Sequence, residues 1–428
     1  MPAKLLPVEE VPGVEDALAT GDPVRCARRV REVLSAGADP TEVVRTAALA
    51  AARHFAPTLP PPHALLALSA SLDLDPRTEP PNLAVIQACA LAAGEWRPER
   101  LATAPHVVTG DELHLGRSFL AAVRAAEVVE ADAIFSGLLR EGDERRLAGD
   151  VLFEACAQDA AEEGHKLPFA VGAWRLARAL GWRDGPVFLR PAVYLAAGTP
   201  QDLAGFTDVL REVGRSRLDF EMAARNVAPV EQVARNTYDI ALGVGPDRVV
   251  ADVINGLKRG RAATGYADLI AATAAERLVV DPTALEPALF ALAVRFVLAF
   301  SRTTSHQLAV LIAARIAATA RPEPLPPPAR IASPEGALND LDVAIGAGDP
   351  REAVRIALGL VREDQGEALS RRLVRLAALE DAHADGGHRL LYASWATEFA
   401  SAAPGPAYAS LAALLARTPK SRAVSEAL

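Results

Sequence analysis

The sequence predicts an all-α protein, a multi-helix bundle built from about four weakly repeated helical units around a histidine-lined pocket. Three observations predict it. Apolar residues recur three and four places apart, as in Val43, Ala47 and Leu49 or Leu369, Leu373, Leu376 and Leu379, which is the helical period. Strand-like alternation is almost absent. Breakers at Pro57 to Pro62, Pro80 and Pro81, Gly110, Gly164, Gly181 to Pro186, Gly198 to Pro200 and Gly243 to Pro246 cut the chain. The pieces between them are helices of roughly 10 to 18 residues, an ordinary globular length.

The 428 residues suffice for one large or two ordinary domains. Half are hydrophobic, only 5% are aromatic, and 45 Lys and Arg stand against 54 Asp and Glu, a formal charge of −9. With no long basic run, nucleic acid is excluded as a first expectation, because polyanion binding is driven by clustered positive charge. The start, MPAKLLPVEEVPGVED, lacks the basic and apolar regions of a secretory signal, and the most apolar stretch, 284 to 300, is interrupted by Arg295. A soluble, cytoplasmic protein with no membrane partner is expected. Cys26, Cys89 and Cys156 have neither C-x-x-C spacing nor neighbours, and read as small buried hydrophobes.

One proline-rich linker stands out, RPEPLPPPARIASP at 321–334, whose composition favours an extended path. It separates a main helical body, 1–320, from a C-terminal helical unit, 335–428, that is expected to close the same fold. Two segments disclose a repeat: ALATGDPVRCARRVREVL at 17 to 34 and AIGAGDPREAVRIALGLV at 344 to 361. Each reads as helix end, Gly-Asp-Pro, helix start. Each is followed by a second amphipathic helix, a breaker and a histidine opening a third, in PPPHALLALSAS with His63 and in GGHRLLYASWAT with His388. On that template 121 to 176 is another copy, ending at His165 in EEGHKLPFAVGAWRL. A further copy, 250 to 316, ends at His306 in RTTSHQLAVLIAAR.

These four of the eight histidines fall in first helical turns, where the partial positive charge of the helix N-terminus favours the neutral imidazole that binds metals. His63, His165, His306 and His388 are therefore the expected ligands of one nitrogen-rich site, suited to Fe(II), Zn(II), Cu(II) or Ni(II) if the units share an axis. His54 and His383 end the helices before two of them, and His106 and His114 lie in a polar loop. Asp159, Glu162 and Glu163 before His165, and Glu380, Asp381 and Asp385 before His388, are candidates to orient the imidazoles. Lys166 and Lys258 lie within the body; Lys166, beside His165, forms with it the candidate catalytic pair. No dinucleotide, P-loop, zincin or nucleophile-elbow motif is present.

The order of PPPHALLALSASLDL, EEGHKLPFAVGAWRLARALGW and FSRTTSHQLAVLIAAR resembles the questin oxidase-like family, all-helical oxygenases of aromatic polyketide metabolism. The second segment is similar to that family's Gly-His-Pro-Leu-Ile-His element, with Lys166 in place of the proline and Phe169 in place of the second histidine. The third places its histidine after the threonines rather than before. The resemblance implies Fe(II) held by His63 and His165, with His306 less securely matched; His388 comes from the repeat. It implies O2 and a small aromatic substrate, altered by Baeyer-Villiger-like oxygen insertion or carbon-carbon cleavage, with Phe169, Trp174, Phe296 and Tyr392 as pocket walls. Three competing readings remain: a non-catalytic helical scaffold, haem or another cofactor held by axial histidines, and a metal-independent enzyme with a helix-start histidine as general base.

Overall fold

Asp22 and Asp349 do the same work at two helix starts far apart in the chain. Asp22 Oδ1 accepts the N–H groups of Val24 (2.9 Å) and Arg25 (3.1 Å), and Asp349 Oδ1 accepts that of Glu352 (3.0 Å). Each is followed by a proline at the first helical position. The computed structural model, which describes residues 10–55, 61–98, 106–141, 145–301, 303–318, 324–418 and 420–428, extends this likeness to four units among the described residues.

Four units of five helices follow one another. The first holds α1 (Val14–Leu18), α2 (Pro23–Ser35), α3 (Pro40–Arg53), α4 (Ala64–Leu74) and α5 (Leu83–Gly94). The second holds α6 (Glu112–Arg124), α7 (Val128–Glu141), α8 (Arg146–Gln158), α9 (Lys166–Ala179) and α10 (Gly185–Ala197). An insertion, α11 (Ala204–Ser216) and α12 (Phe220–Ala224), comes next. The third unit holds α13 (Gln232–Leu242), α14 (Pro246–Lys258), α15 (Ala263–Val280), α16 (Leu285–Phe300) and α17 (Thr304–Ala317). The fourth holds α18 (Pro334–Gly346), α19 (Pro350–Arg362), α20 (Gly366–Leu379), α21 (His388–Phe399) and α22 (Pro404–Arg417), before a last short helix, α23 (Ala423–Glu426). No strand occurs among the described residues.

Corresponding helices make corresponding contacts. In every unit the second helix packs on the fifth (α2 on α5, α7 on α10, α14 on α17, α19 on α22), and the fourth packs on the third and the fifth. The units then close into a ring. The fourth helices form an inner cycle, α4 against α9, α9 against α16, α16 against α21 and α21 against α4. Outside them, α10 packs on α3, α17 on α8, α22 on α15 and α5 on α20. The cycle closes because the inner helices are apolar nearly all round, as a helix surrounded by others must be; in α4 and α16 runs such as Ala64–Leu68 and Ala288–Val294 are buried. The stretch Pro282–Phe300, long and apolar enough to cross a membrane, is one of these inner helices and is 61% buried.

The proline-rich segment, described from 324 onward, is not free. The Ala329 N–H donates to the Arg355 carbonyl (2.8 Å) and the Ala329 carbonyl accepts from Arg362 (3.3 Å), so it runs along α19. The C-terminal helices complete the inner ring through α21. Cys26, Cys89 and Cys156 are free and buried.

Candidate metal centre

The inner helices all begin at the same end of the ring, and their first residues meet there. His63 precedes α4, His165 precedes α9, His388 opens α21, and the corresponding position of α16 is held by Glu286. The intervals Gly21 to His63, Gly245 to Glu286 and Gly348 to His388 agree within two residues. Two glycines permit the approach. Gly164 (φ 88°), before His165, adopts a left-handed turn in which a Cβ would run into the Phe290 ring of α16. Gly387 (φ 77°), before His388, faces α4, where a Cβ would lie 3.0 Å from that of Ala67.

His63, His165 and His388 each offer one ring nitrogen such that the three lie within 4.8 Å of one another. His63 Nε2 and His165 Nε2 are 3.1 Å apart. His165 Nδ1 donates to Glu286 Oε2 (2.9 Å) and His388 Nδ1 donates to the Asp385 carbonyl (2.7 Å). Carboxylate and carbonyl oxygens only accept, so these Nδ1 atoms carry protons and Nε2 is the nitrogen of each ring that these bonds leave uncommitted. His388 Nε2 stands 3.1 Å from Glu286 Oε1, off the hydrogen-bond line and without another partner. His63 Nδ1 lies 3.7 Å from Glu95 Oε1. Its own N–H and that of Ala64 donate to Glu95 at 3.2 and 2.8 Å, so Glu95 caps α4 and holds His63 in place.

This donor set fits a transition metal. Two nitrogens each about 2.1 Å from one cation, subtending roughly a right angle, sit about 3 Å apart, the separation found between His63 and His165. Three imidazoles beside a carboxylate suit Fe(II), Zn(II), Cu(II) or Ni(II) rather than Mg or Ca. Glu286, hydrogen-bonded to Nδ1 of His165, is the carboxylate that would orient this imidazole toward an ion. Side-chain exposures of 19% for His63, 9% for His165 and 18% for His388 leave the site reachable from solvent.

Electrostatics follow from the same packing. Burial lowers the His63 pKa to about 3, helped by the charges of His165 and His388. Burial works against the charge on Glu286, yet the hydrogen bond from His165 and the nearness of His388 bring its pKa down to about 2. Burial likewise opposes the charge on His388, but the adjacent Glu286 carboxylate prevails and its pKa rises to about 9. Burial raises Glu95 to about 7 against the two N–H groups it accepts.

Of the four expected ligands, His306 is not part of this group. It opens α17, the fifth helix of its unit rather than the fourth, so it lies one helix beyond the ring position. There it is fully buried, with Nδ1 3.0 Å from the Ser301 carbonyl and Nε2 3.7 Å from Asp150. Lys166 turns away from the histidines into a buried pair with Asp159 (2.7 Å) and donates to the Gly198 carbonyl (3.0 Å), because its helical position lies beside the second unit's own loops. That pairing removes it from the expected catalytic role.

Phe169 does border the site, its ring 6.2 Å from that of His63 and 6.5 Å from that of His165. The other expected walls do not. Trp174 packs in an aromatic cluster with Phe153, Trp182 and Phe300. Phe296 lines a cleft of about 460 Å³ with Asp73, Arg175 and Glu398, toward the C-terminal ends of the inner helices. Tyr392 is buried, bonded to Ser410 (2.7 Å). All three sit later on their helices than the first turn, so the helix rise carries them away from the ligand end.

His54 stacks on Trp96 (4.0 Å) and bonds to the Arg97 carbonyl (2.9 Å), bracing the segment that follows Glu95. His106, His114, His383, Glu162 and Glu163 are exposed. Lys258 donates to the Ser216 carbonyl, in the insertion. Two site residues escape a search for histidines. Glu286 was legible only from the repeat spacing after Gly245; Glu95 carries no local signal. No known family, curated protein or solved structure matches the chain.

Proposed function

We propose that this chain is a cytoplasmic, metal-dependent oxygenase that holds Fe(II) on His63, His165 and His388 and acts with O2 on a small, flat aromatic molecule. The observation that carries the reading is the meeting of three imidazole nitrogens within 4.8 Å of one another, with Nδ1 of His165 and of His388 already committed elsewhere. Nitrogen lone pairs do not gather at 3.1 Å without a proton or cation between them. The bound metal would supply Lewis acidity and open positions for O2 and for a substrate oxygen. With His306 elsewhere, three ligands leave more of the coordination sphere free than four would.

The protein's own residues have defined parts. Glu286 keeps the His165 proton on Nδ1 and so presents Nε2. The Asp385 carbonyl does the same for His388. Glu95 fixes the backbone from which His63 projects. Phe169 offers an apolar ring edge against which an aromatic substrate can lie. The resemblance of the His63 and His165 segments to the questin oxidase-like family favours oxygen insertion or carbon-carbon cleavage as the reaction.

The test is elemental analysis of protein purified without a histidine tag and without chelator, followed by O2 consumption with hydroxylated aromatic compounds. About one iron per chain and substrate-dependent O2 uptake are expected. Another stoichiometric metal would keep the site and change the reaction. Absence of metal after anaerobic incubation with Fe(II) would leave either the proton-sharing His63 and His165 pair as an acid-base device or a helical scaffold.

A further inference from the structure

We infer that the C-terminal tail sets the position of His388 through the buried Arg389, so that docking of the tail tunes the metal centre. The inference rests on the metal-binding reading above and extends it to residues outside the site. Its physical root is the cost of Arg389. This guanidinium is 1% exposed, neither its Nη1 nor its Nε has a hydrogen-bond partner, and its counter-charge is Asp385, 3.0 Å from Nε. A buried ion pair contributes little net stability compared with apolar packing. Its value here is where it leads.

The contacts form one continuous path. Asp381, wholly buried, accepts the Ser421 hydroxyl (2.6 Å) and the Ala423 N–H (2.9 Å) on Oδ2 and the Val424 N–H (2.9 Å) on Oδ1. Its own N–H donates to the Ser421 carbonyl (2.7 Å). The tail is thereby clamped, side chain and backbone, at the start of the turn that leads to His388. Arg389 Nη2 donates to the Asp381 carbonyl (3.1 Å) and Nε faces Asp385. Asp385 then caps α21, accepting the Gly387 N–H on Oδ1 (3.0 Å), while its carbonyl holds His388 Nδ1.

Two features make this path more than general packing. The turn it spans contains Gly386 and Gly387, both left-handed, which leave the backbone before His388 dependent on these bonds for its shape. The tail also bridges the seam of the ring: α23 packs on α2 and α5 of the first unit, and Gln87 of α5 accepts the Ala382 N–H (3.1 Å). The last and first units therefore meet where His388 is presented, and closure of the ring and placement of the ligand are one event. Arg389 is a positioning residue; it touches neither metal nor substrate.

The experiment uses the full-length chain, with Co(II) as the probe metal. Arg389→Met and Asp381→Asn are each expected to weaken Co(II) affinity about 10- to 100-fold, and the double variant is expected to lose little more than either single one, since both cut the same path. Arg389→Lys should restore part of the loss. Asp349→Ala, which removes the cap of α19, should lower the melting temperature and leave Co(II) affinity unchanged. Unchanged affinity in both path variants, fully additive losses, or an equal loss in Asp349→Ala would overturn the inference. The hydrogen-bonded Nδ1–H of His388, observed by imidazole nitrogen NMR in metal-free protein, gives a separate readout. It should exchange faster in Arg389→Met. If the wild type bound no Co(II) while this signal still responded, the metal reading would fall and the positioning role would stand; an unresponsive signal would sink the positioning role.

Discussion

Nε2 of His63 and Nε2 of His165 face each other at 3.1 Å, from two helices whose origins lie about a hundred residues apart in the chain. His165 is held at Nδ1 by Glu286, and the backbone of His63 is held by Glu95. The pair, joined by His388, is a small region of concentrated lone-pair density at the ends of four helices. Glu286 keeps His388 charged beside the pair, its pKa raised to about 9, while burial keeps His63 neutral, so the contact is relieved by a shared proton or, on the proposed reading, by a cation.

The first expectation concerns the ligands. His165→Ala and His388→Ala should abolish metal retention, measured by elemental analysis, while the helical circular dichroism signal persists. His306→Ala should keep the metal. It should destabilise the protein by about 1–3 kcal/mol, because it empties a wholly buried position and removes the Nδ1 partner of the Ser301 carbonyl, while the Ser301 hydroxyl keeps its bond to Asp150. Metal loss in His306→Ala at intact stability would contradict the assignment.

Glu286→Gln should retain fold and weaken metal binding about 10- to 100-fold, since an amide oxygen accepts from His165 but carries no charge toward the site. Competition with a chelator of known affinity reads this directly. Equal affinities would show that the carboxylate charge has no part in holding the ion.

The metal-free protein should lose stability as pH rises from 6.5 to 9. The His388 pKa is raised from 6.5 to about 9 in the folded state. The folded chain therefore binds more protons than the unfolded one between these values. That stabilisation is fully present below 6.5 and is lost as pH passes through about 9. Urea midpoints of wild type and His388→Gln across this range provide the check: the fall should be steeper in the wild type. Parallel profiles would refute the coupling to Glu286.

Gly164→Ala should cost about 1–3 kcal/mol, from an L-residue forced to a φ of 88° and from a Cβ directed into the Phe290 ring. Because the strain falls on the residue before His165, metal affinity should drop in the same variant. A melting temperature unchanged from wild type would show that the turn relaxes freely.

Lys166→Met should destabilise by about 3–5 kcal/mol, as it strands the buried Asp159 carboxylate. In whatever fraction remains folded, metal content should be normal. Loss of metal without loss of stability would return Lys166 to the site.

Much of the architecture was written locally. The Gly-Asp-Pro starts at Asp22 and Asp349, the apolar periodicity and the breakers are decided by each residue's own backbone preferences and hydration, so they specify helices, their ends and a repeating unit without reference to the rest of the chain. The same local signals marked His63, His165 and His388 as helix-start imidazoles. They also marked His306, which has the same local character, and nothing local distinguishes a fourth helix of a unit from a fifth. That distinction is made by which helix packs toward the axis, a matter of apolar surface buried against residues hundreds of positions away. Only ring closure brought Glu286 to the place a fourth histidine was expected to fill, set Glu95 beside His63, and turned Lys166, Trp174 and Tyr392 away. The sequence by itself determined an all-helical chain with imidazoles at equivalent helix starts; the tertiary structure decided which of them meet, because meeting depends on long-range packing and not on any residue's own preference.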